Sequence, residues 1–161
     1  MVIAVTGHRP DKLGREYDMK GPYSDYISGE FDKIIETFKP ETGISGLALG
    51  VDTLWAVSCL YHNIPLIAAV PFEGQEKMWP ENSQRVYRQI IEHSETQVVY
   101  VCEPGYEGWK MQKRNVWMID HCDVLVAVFD GSPGGTGNCV KAAEKIKKEI
   151  IRIDPRLALK F

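Results

Sequence analysis

The 161 residues are 44% hydrophobic and 25% charged, with 22 acidic side chains against 19 basic ones. This length and composition suit one domain with a real core and exclude extended disorder. The formal charge of −3 leaves no basic footprint, so nucleic acid is not an expected partner.

Met1 to Thr6 is a β-branched run of the kind that fills a central strand. It meets Gly7-His8-Arg9-Pro10, a turn whose glycine leaves room for a ligand that His8 and Arg9 can face. The planar fork of Arg9 suits phosphate, though a surface arginine in a loop reads the same way. His8 can act as acid or base near neutral pH, or simply hydrogen-bond or stack. Asp11 to Ser24 is polar and interrupted by Gly and Pro, and reads as a loop that could serve as a lid. A helix is expected from Asp25, with Ile27, Phe31, Ile34, Ile35 and Phe38 on one side and Pro40 closing it.

Thr42 to Leu47 reads as a buried parallel strand, and Ser45, Gly46, Ala48 and Gly50 then crowd a turn with small residues. From Val51 the pattern is helical. A strand running through such a turn into a helix aims free N–H groups at a spot that favours phosphate. The same residues equally describe a turn that lets a helix pack closely on a sheet. Asp52 either caps that helix or bonds ribose hydroxyls. Ile64 to Pro71 is a third strand. The loop after it carries Phe72, Glu73, Gln75 and Trp79, which close over a base or cover the sheet edge.

Asn82 to Ser94 is an amphipathic helix and Gln97 to Cys102 a fourth strand. Gly108 to His121 is a helix with Trp109, Gln112, Val116 and Ile119 expected in register, and Lys113-Arg114-Asn115 expected on a solvated face. Asp123 to Phe129 is a fifth strand, ending at Asp130-Gly131-Ser132-Pro133-Gly134-Gly135-Thr136-Gly137. Gly134, Gly135 and Gly137 free the backbone to approach a pyrophosphate, and Ser132 and Thr136 add hydroxyls. No Lys-Ser or Lys-Thr pair follows, and the loop is not the dinucleotide fingerprint after a first strand, so neither an ATPase nor a standard dehydrogenase is expected. The last helix shows Val140, Ala143, Ile146 and Ile150 on one face, and Ile150 to Ile153 adds a short strand.

The alternation predicts a single α/β domain of three layers with a mostly parallel sheet of five or six strands. In such sheets ligands sit beyond the carboxyl ends of the strands, where three of these turns would meet. Cys59, Cys102, Cys122 and Cys139 form no Cys-x-x-Cys pair, which fits reduced thiols. The four histidines lack metal spacing, so no metal is expected. No apolar run spans a membrane and no signal-peptide layout opens the chain, so a cytoplasmic protein without membrane contact is expected.

Together, Gly7-His8-Arg9-Pro10, the stretch Ser45 to Asp52, and Gln112-Lys113-Arg114-Asn115 followed by Ile119-Asp120 resemble the SLOG superfamily of Rossmann-like proteins. The YpsA-like (DUF1273-type) branch is most similar, and Pro71-Phe72 with Gln75, Glu76 and Trp79 is also like it. Ser45 to Asp52 resembles the matching stretch of the DNA-processing DprA proteins. Pro133 to Gly137 is similar to the glycine loop of LOG-type phosphoribohydrolases, whose catalytic glutamate has no counterpart among Asn138, Cys139, Val140 and Lys141. The resemblance implies binding of a nucleotide-derived ligand, adenine- or ADP-ribose-like, with no further cofactor required. On it, Arg114 and Asn115 become ligand contacts beside Arg9. Gly46, Gly50 and Gly134 to Gly137 hold phosphates, and Phe72 or Trp79 covers the base. It also implies a homo-oligomer, with Trp109 and Trp117 at the interface or in the core. Two alternatives stand: a hydrolase of a nucleotide N-glycosidic or phosphoester bond using Glu73, Asp52 or His8, and a protein-interaction module.

Overall fold

In the computed structural model, which describes residues 1–160, strands and helices alternate along the whole chain. They are β1 (Val2–Gly7), α1 (Pro22–Phe38), β2 (Thr42–Ser45), α2 (Val51–Tyr61), β3 (Leu66–Val70), α3 (Glu81–Ile91), β4 (Thr96–Tyr100), α4 (Gly108–His121), β5 (Val124–Val128), α5 (Gly135–Lys145) and β6 (Glu149–Ile153). The sheet order is β4-β3-β2-β1-β5-β6, and every pairing is parallel. Parallel strands need both faces covered, and period-two alternation divides the side chains between two cores. Ile3 and Val5 of β1, with Val124, Val126 and Val128 of β5, pack under α1, α2 and α3. Ala4, Ile44, Ala69 and Leu125 face α4 and α5. Phe31 and Trp55 meet edge to face at 5.2 Å in the first core. This is the expected three-layer, Rossmann-like architecture. Among the described residues no helix is long and apolar enough to cross a membrane.

Several local expectations give way to tertiary packing. Helix α1 begins at Pro22 rather than Asp25, because the Glu16 carboxylate accepts from the N–H groups of Tyr23 and Ser24 at 3.1 and 2.8 Å. The Asp11–Ser24 stretch is therefore pinned, with Leu13 buried in the core and a 3-10 turn at Pro10–Lys12. Helix α5 stops at Lys145, so Ile146 is exposed and Ile150 belongs to β6. Lys147 takes a left-handed turn (φ 57°) between them.

The larger correction concerns α4. Trp109 and Val116, expected inside, are 55% and 41% exposed. The buried face instead runs Lys110, Arg114, Asn115, Met118, Ile119. A lysine and an arginine occupy the inner face because backbone carbonyls satisfy them there, which a count of apolar positions does not register.

Candidate functional site

Strand β1 is central, and the chain builds outward from it through β2, β3 and β4 before returning to lay β5 on its other side. The loops leaving β1 and β5 therefore diverge, and a crevice opens at their carboxyl ends. A cleft of about 230 Å³ occupies that point. Gly7 to Arg9, Asp11 and Lys12 form one wall, Ser132 to Gly137 the other, and Ala48, Asp52, Met111, Arg114 and Asn115 complete the lining.

His8 fixes the geometry. Its N–H continues the β5 ladder to Val128 O at 3.1 Å, and its carbonyl accepts from Val51 N–H, the first residue of α2, at 3.2 Å. The buried ring places Nε2 3.1 Å from both the Asp130 carboxylate and the Asp130 N–H. One nitrogen serves as acceptor or donor there according to tautomer. Ser132, through its hydroxyl and N–H, and then His8 hold the Asp130 carboxyl well below the usual carboxylate range. Lys12 Nζ bridges the two walls, donating to Ser132 Oγ at 3.1 Å.

The two helix N-termini at the cleft differ. At α2 the first N–H, that of Val51, is answered by His8 O, and the turn before it is tied to Asp52. Ala48 N–H donates to Asp52 Oδ2 at 3.3 Å, and Ser45 Oγ donates to Asp52 O at 2.7 Å. Gly7 admits Val51 so closely that a Cβ would lie 2.5 Å from it, and a Cβ on Gly50 would lie 2.6 Å from His8 O. Neither helix has a side-chain cap, but at α5 Gly134 sits at φ 144° and a Cβ on Gly134 or Gly135 would meet nothing within 4 Å. The first N–H groups of this helix have no acceptor within it and lie at open space, so an anion is favoured there.

Beneath the cleft, Arg114 is 5% exposed. Its Nη1 donates to Gly46 O at 2.7 Å and its Nε to Asn115 Oδ1 at 3.0 Å. A Cβ on Gly46 would fall 2.2 Å from Nη1, so only glycine lets the guanidinium pass. Burial raises the Asp52 carboxyl above its ordinary range, while Arg114, the Ala48 N–H and Arg9 pull it back.

Beside the cleft, Arg9 and Met111 continue into an apolar hollow of about 580 Å³ lined by Phe72, Gln75, Met78, Trp79 and Tyr106. Phe72 meets Tyr106 edge to face at 6.0 Å, and Trp79 packs the same way on Tyr87 at 5.4 Å.

A sequence model of the YspA SLOG family matches residues 3–155. The chain belongs to that family. The SPbeta prophage-derived protein YoqJ of Bacillus subtilis (strain 168) is 37% identical over 118 residues, covering 63% of this chain and 68% of that protein. A UPF0398 protein of Bacillus cereus (strain G9842) is 29% identical over 159 residues, covering 92% and 85%. Among solved structures, DNA processing protein A (DprA) from Helicobacter pylori superposes with a TM-score of 0.69 at 19% identity, covering 99% of this chain and 71% of that one. DprA from Streptococcus pneumoniae gives 0.67 at 18%, and this chain, matched over 93% of its length, spans 49% of it. These likenesses establish a shared fold. The Helicobacter pylori structure is described by its single-stranded DNA binding mode. Net charge alone therefore does not decide against nucleic acid in this fold, and that expectation is withdrawn.

Within this SLOG domain, Gly7, His8, Arg9, Asp52, Arg114, Asn115, Gly134, Gly135, Thr136 and Gly137 are brought together at the cleft. Ser45, Gly46 and Gly50 are absent from its lining, since they serve the packing of Asp52, Arg114 and the β1 turn. Asp130 stands behind the wall, on His8. Phe72, Trp79 and Glu73 line the hollow instead, which separates Glu73 from Asp52 and His8. Lys12, Met111 and Tyr106 were not expected at the site. Lys12 falls in the stretch that reads as a loop and possible lid, while Met111 lies three residues before Arg114 and so on its face of α4.

Proposed function

We propose that this SLOG domain binds a nucleotide-derived small molecule, with phosphate in the cleft and base in the hollow. The observation that carries the reading is that the two cavities adjoin, with Arg9 and Met111 lining both. One side offers Arg9, Lys12 and the open N-terminus of α5, which suit an anion. The other offers Phe72, Trp79 and Tyr106, which suit a flat ring. Asp52 also lines the cleft, and a carboxylate there suits the hydroxyls of a ribose. Adenine- and ADP-ribose-like molecules have this order of parts.

Binding rather than hydrolysis is favoured because Glu73 lines the hollow while Asp52 and His8 line the cleft, so Glu73 is not paired with either across one bond. A second reading, single-stranded DNA, has the DprA-like fold behind it. Calorimetric titration with ribose 5-phosphate, AMP, ADP-ribose and a short single-stranded oligonucleotide separates them. Saturable one-to-one binding of AMP or ADP-ribose is the expected result. Binding of the oligonucleotide without either mononucleotide would replace this reading with the second.

A further inference from the structure

Lys110, near the start of α4, is 4% exposed, yet among the described residues no carboxylate lies within ion-pair distance of it. Its Nζ donates instead to Glu103 O and Gly105 O, each at 2.8 Å, with Pro104 O at 3.4 Å. An ammonium has three donors, and three successive carbonyls answer them. Burying such a charge is costly unless its donors are met, so the ammonium dictates the shape of the segment around it. Consecutive carbonyls converge on one point only if the chain curls. Gly105 permits the curl at φ 107°, a conformation that side-chain-bearing residues rarely take.

The next residue is Tyr106. The curl delivers its ring edge-on to Phe72, as the outer wall of the apolar hollow. Tyr106 is itself 76% exposed, so little packing holds it in place. Lys110 also stands 5.8 Å from the Phe72 ring centroid and 5.7 Å from that of Trp109, facing the electron-rich side of both. The segment follows β4, an edge strand, where no further strand supports it.

We infer that Lys110 is a positioning residue for base recognition: by gathering the carbonyls of Glu103 to Gly105 it sets Tyr106 against Phe72 and so forms the wall on which a ligand's aromatic ring stacks. This rests on the assignment of the hollow to the base. Lys110 touches the loop and not the ligand, so its removal alters the preference for a base while leaving phosphate binding in place.

The test compares AMP with ribose 5-phosphate, which keeps the sugar and phosphate and lacks the base, on wild type, Lys110→Met and Gly105→Ala. The alanine strains the curl while leaving the lysine, and so covers the case in which Lys110→Met does not fold. Wild type is expected to prefer AMP by about tenfold or more, the scale of one base stacked on an aromatic ring. Both variants should bind ribose 5-phosphate within about twofold of wild type and lose most of the preference for AMP. A full AMP preference in the variants overturns the role of Lys110 while leaving the proposed function standing. Equal loss for both ligands also overturns it, because Lys110 would then support only the fold. Wild type without any AMP preference removes the base from the hollow, and this inference with it.

Discussion

Arg114 and Arg9 carry the same charge to the same cleft and do different work. Arg114 is buried and bonded to Gly46 O and Asn115, so truncating it leaves Gly46 O with only the longer bond from Gln75 Nε2 and Asp52 without its nearby cation. Arg114→Ala should therefore cost about 3 kcal/mol of stability, on the scale of a broken buried ionic contact, read as a lower urea midpoint at unchanged slope. Arg9 is exposed, and no hydrogen bond or ion pair of its side chain is found among the described residues. Arg9→Ala should leave that midpoint in place and weaken phosphate binding by about 1.5–3 kcal/mol, the value of a charge-assisted hydrogen bond. The sequence makes both arginines visible as ligand candidates, Arg114 only through family resemblance. It could not separate them, because the separation depends on a glycine carbonyl 68 positions away. Asp52 adds a pH signature. Its folded carboxyl titrates above the ordinary value, chiefly through burial, so between those two pH values the folded state holds more protons than the unfolded one. Stability must then fall as pH rises through that window. Asp52→Asn removes the titration, so the variant should gain on wild type as pH climbs above the ordinary carboxylate range. Unfolding curves whose separation stays constant with pH would contradict this.

At the scale of elements, order and type were legible because hydrophobic period and small-residue turns report directly on strand and helix. The inner face of α4 was not legible, since its Lys110 and Arg114 are buried by carbonyls that only the folded chain assembles. Nor could the sequence say which glycine-bearing turn leaves its helix N-terminus free. Both turns hold small residues ahead of a helix, but the first N–H of α2 is answered by His8 O while α5 opens on the cleft. A substitution at Gly135 uses that difference. The position has open space around a Cβ, so Gly135→Asp fits without a clash and places a carboxylate in the first turn of α5. Helix and carboxylate attract each other, so stability should rise by about 0.5 kcal/mol. The same charge occupies the anion site, so affinity for ribose 5-phosphate should drop about tenfold or more, the effect of some 1.4 kcal/mol of repulsion. Opposite signs in melting temperature and in affinity would identify the N-terminus of α5 as the phosphate site. Unchanged affinity would move the phosphate elsewhere in the cleft.

For the whole molecule, a chain of net charge −3 folds so that Arg9, Lys12 and Arg114 converge on one crevice at the strand-order reversal. These cations share the crevice with Asp11 and Asp52, and whether they meet one phosphate or a strand of them is an experimental distinction. That distinction has a measurable form. A single-stranded nucleic acid releases condensed counterions as basic residues replace them, and log affinity falls with log salt at about −0.7 per phosphate neutralised. A small ligand with one or two phosphates carries no such condensed layer, and salt acts on it only by screening, which a cleft half-enclosed by protein reduces. Titrations of AMP at several salt concentrations, from about 50 to 200 mM, should therefore show a shallow slope. An oligonucleotide that used the crevice alone should show a slope no steeper than its one or two phosphates there would give. If the oligonucleotide instead binds more tightly than AMP with a slope of about −2 or steeper, the cationic surface extends beyond the crevice. The DprA-like fold would then be serving a strand of nucleic acid rather than a single nucleotide.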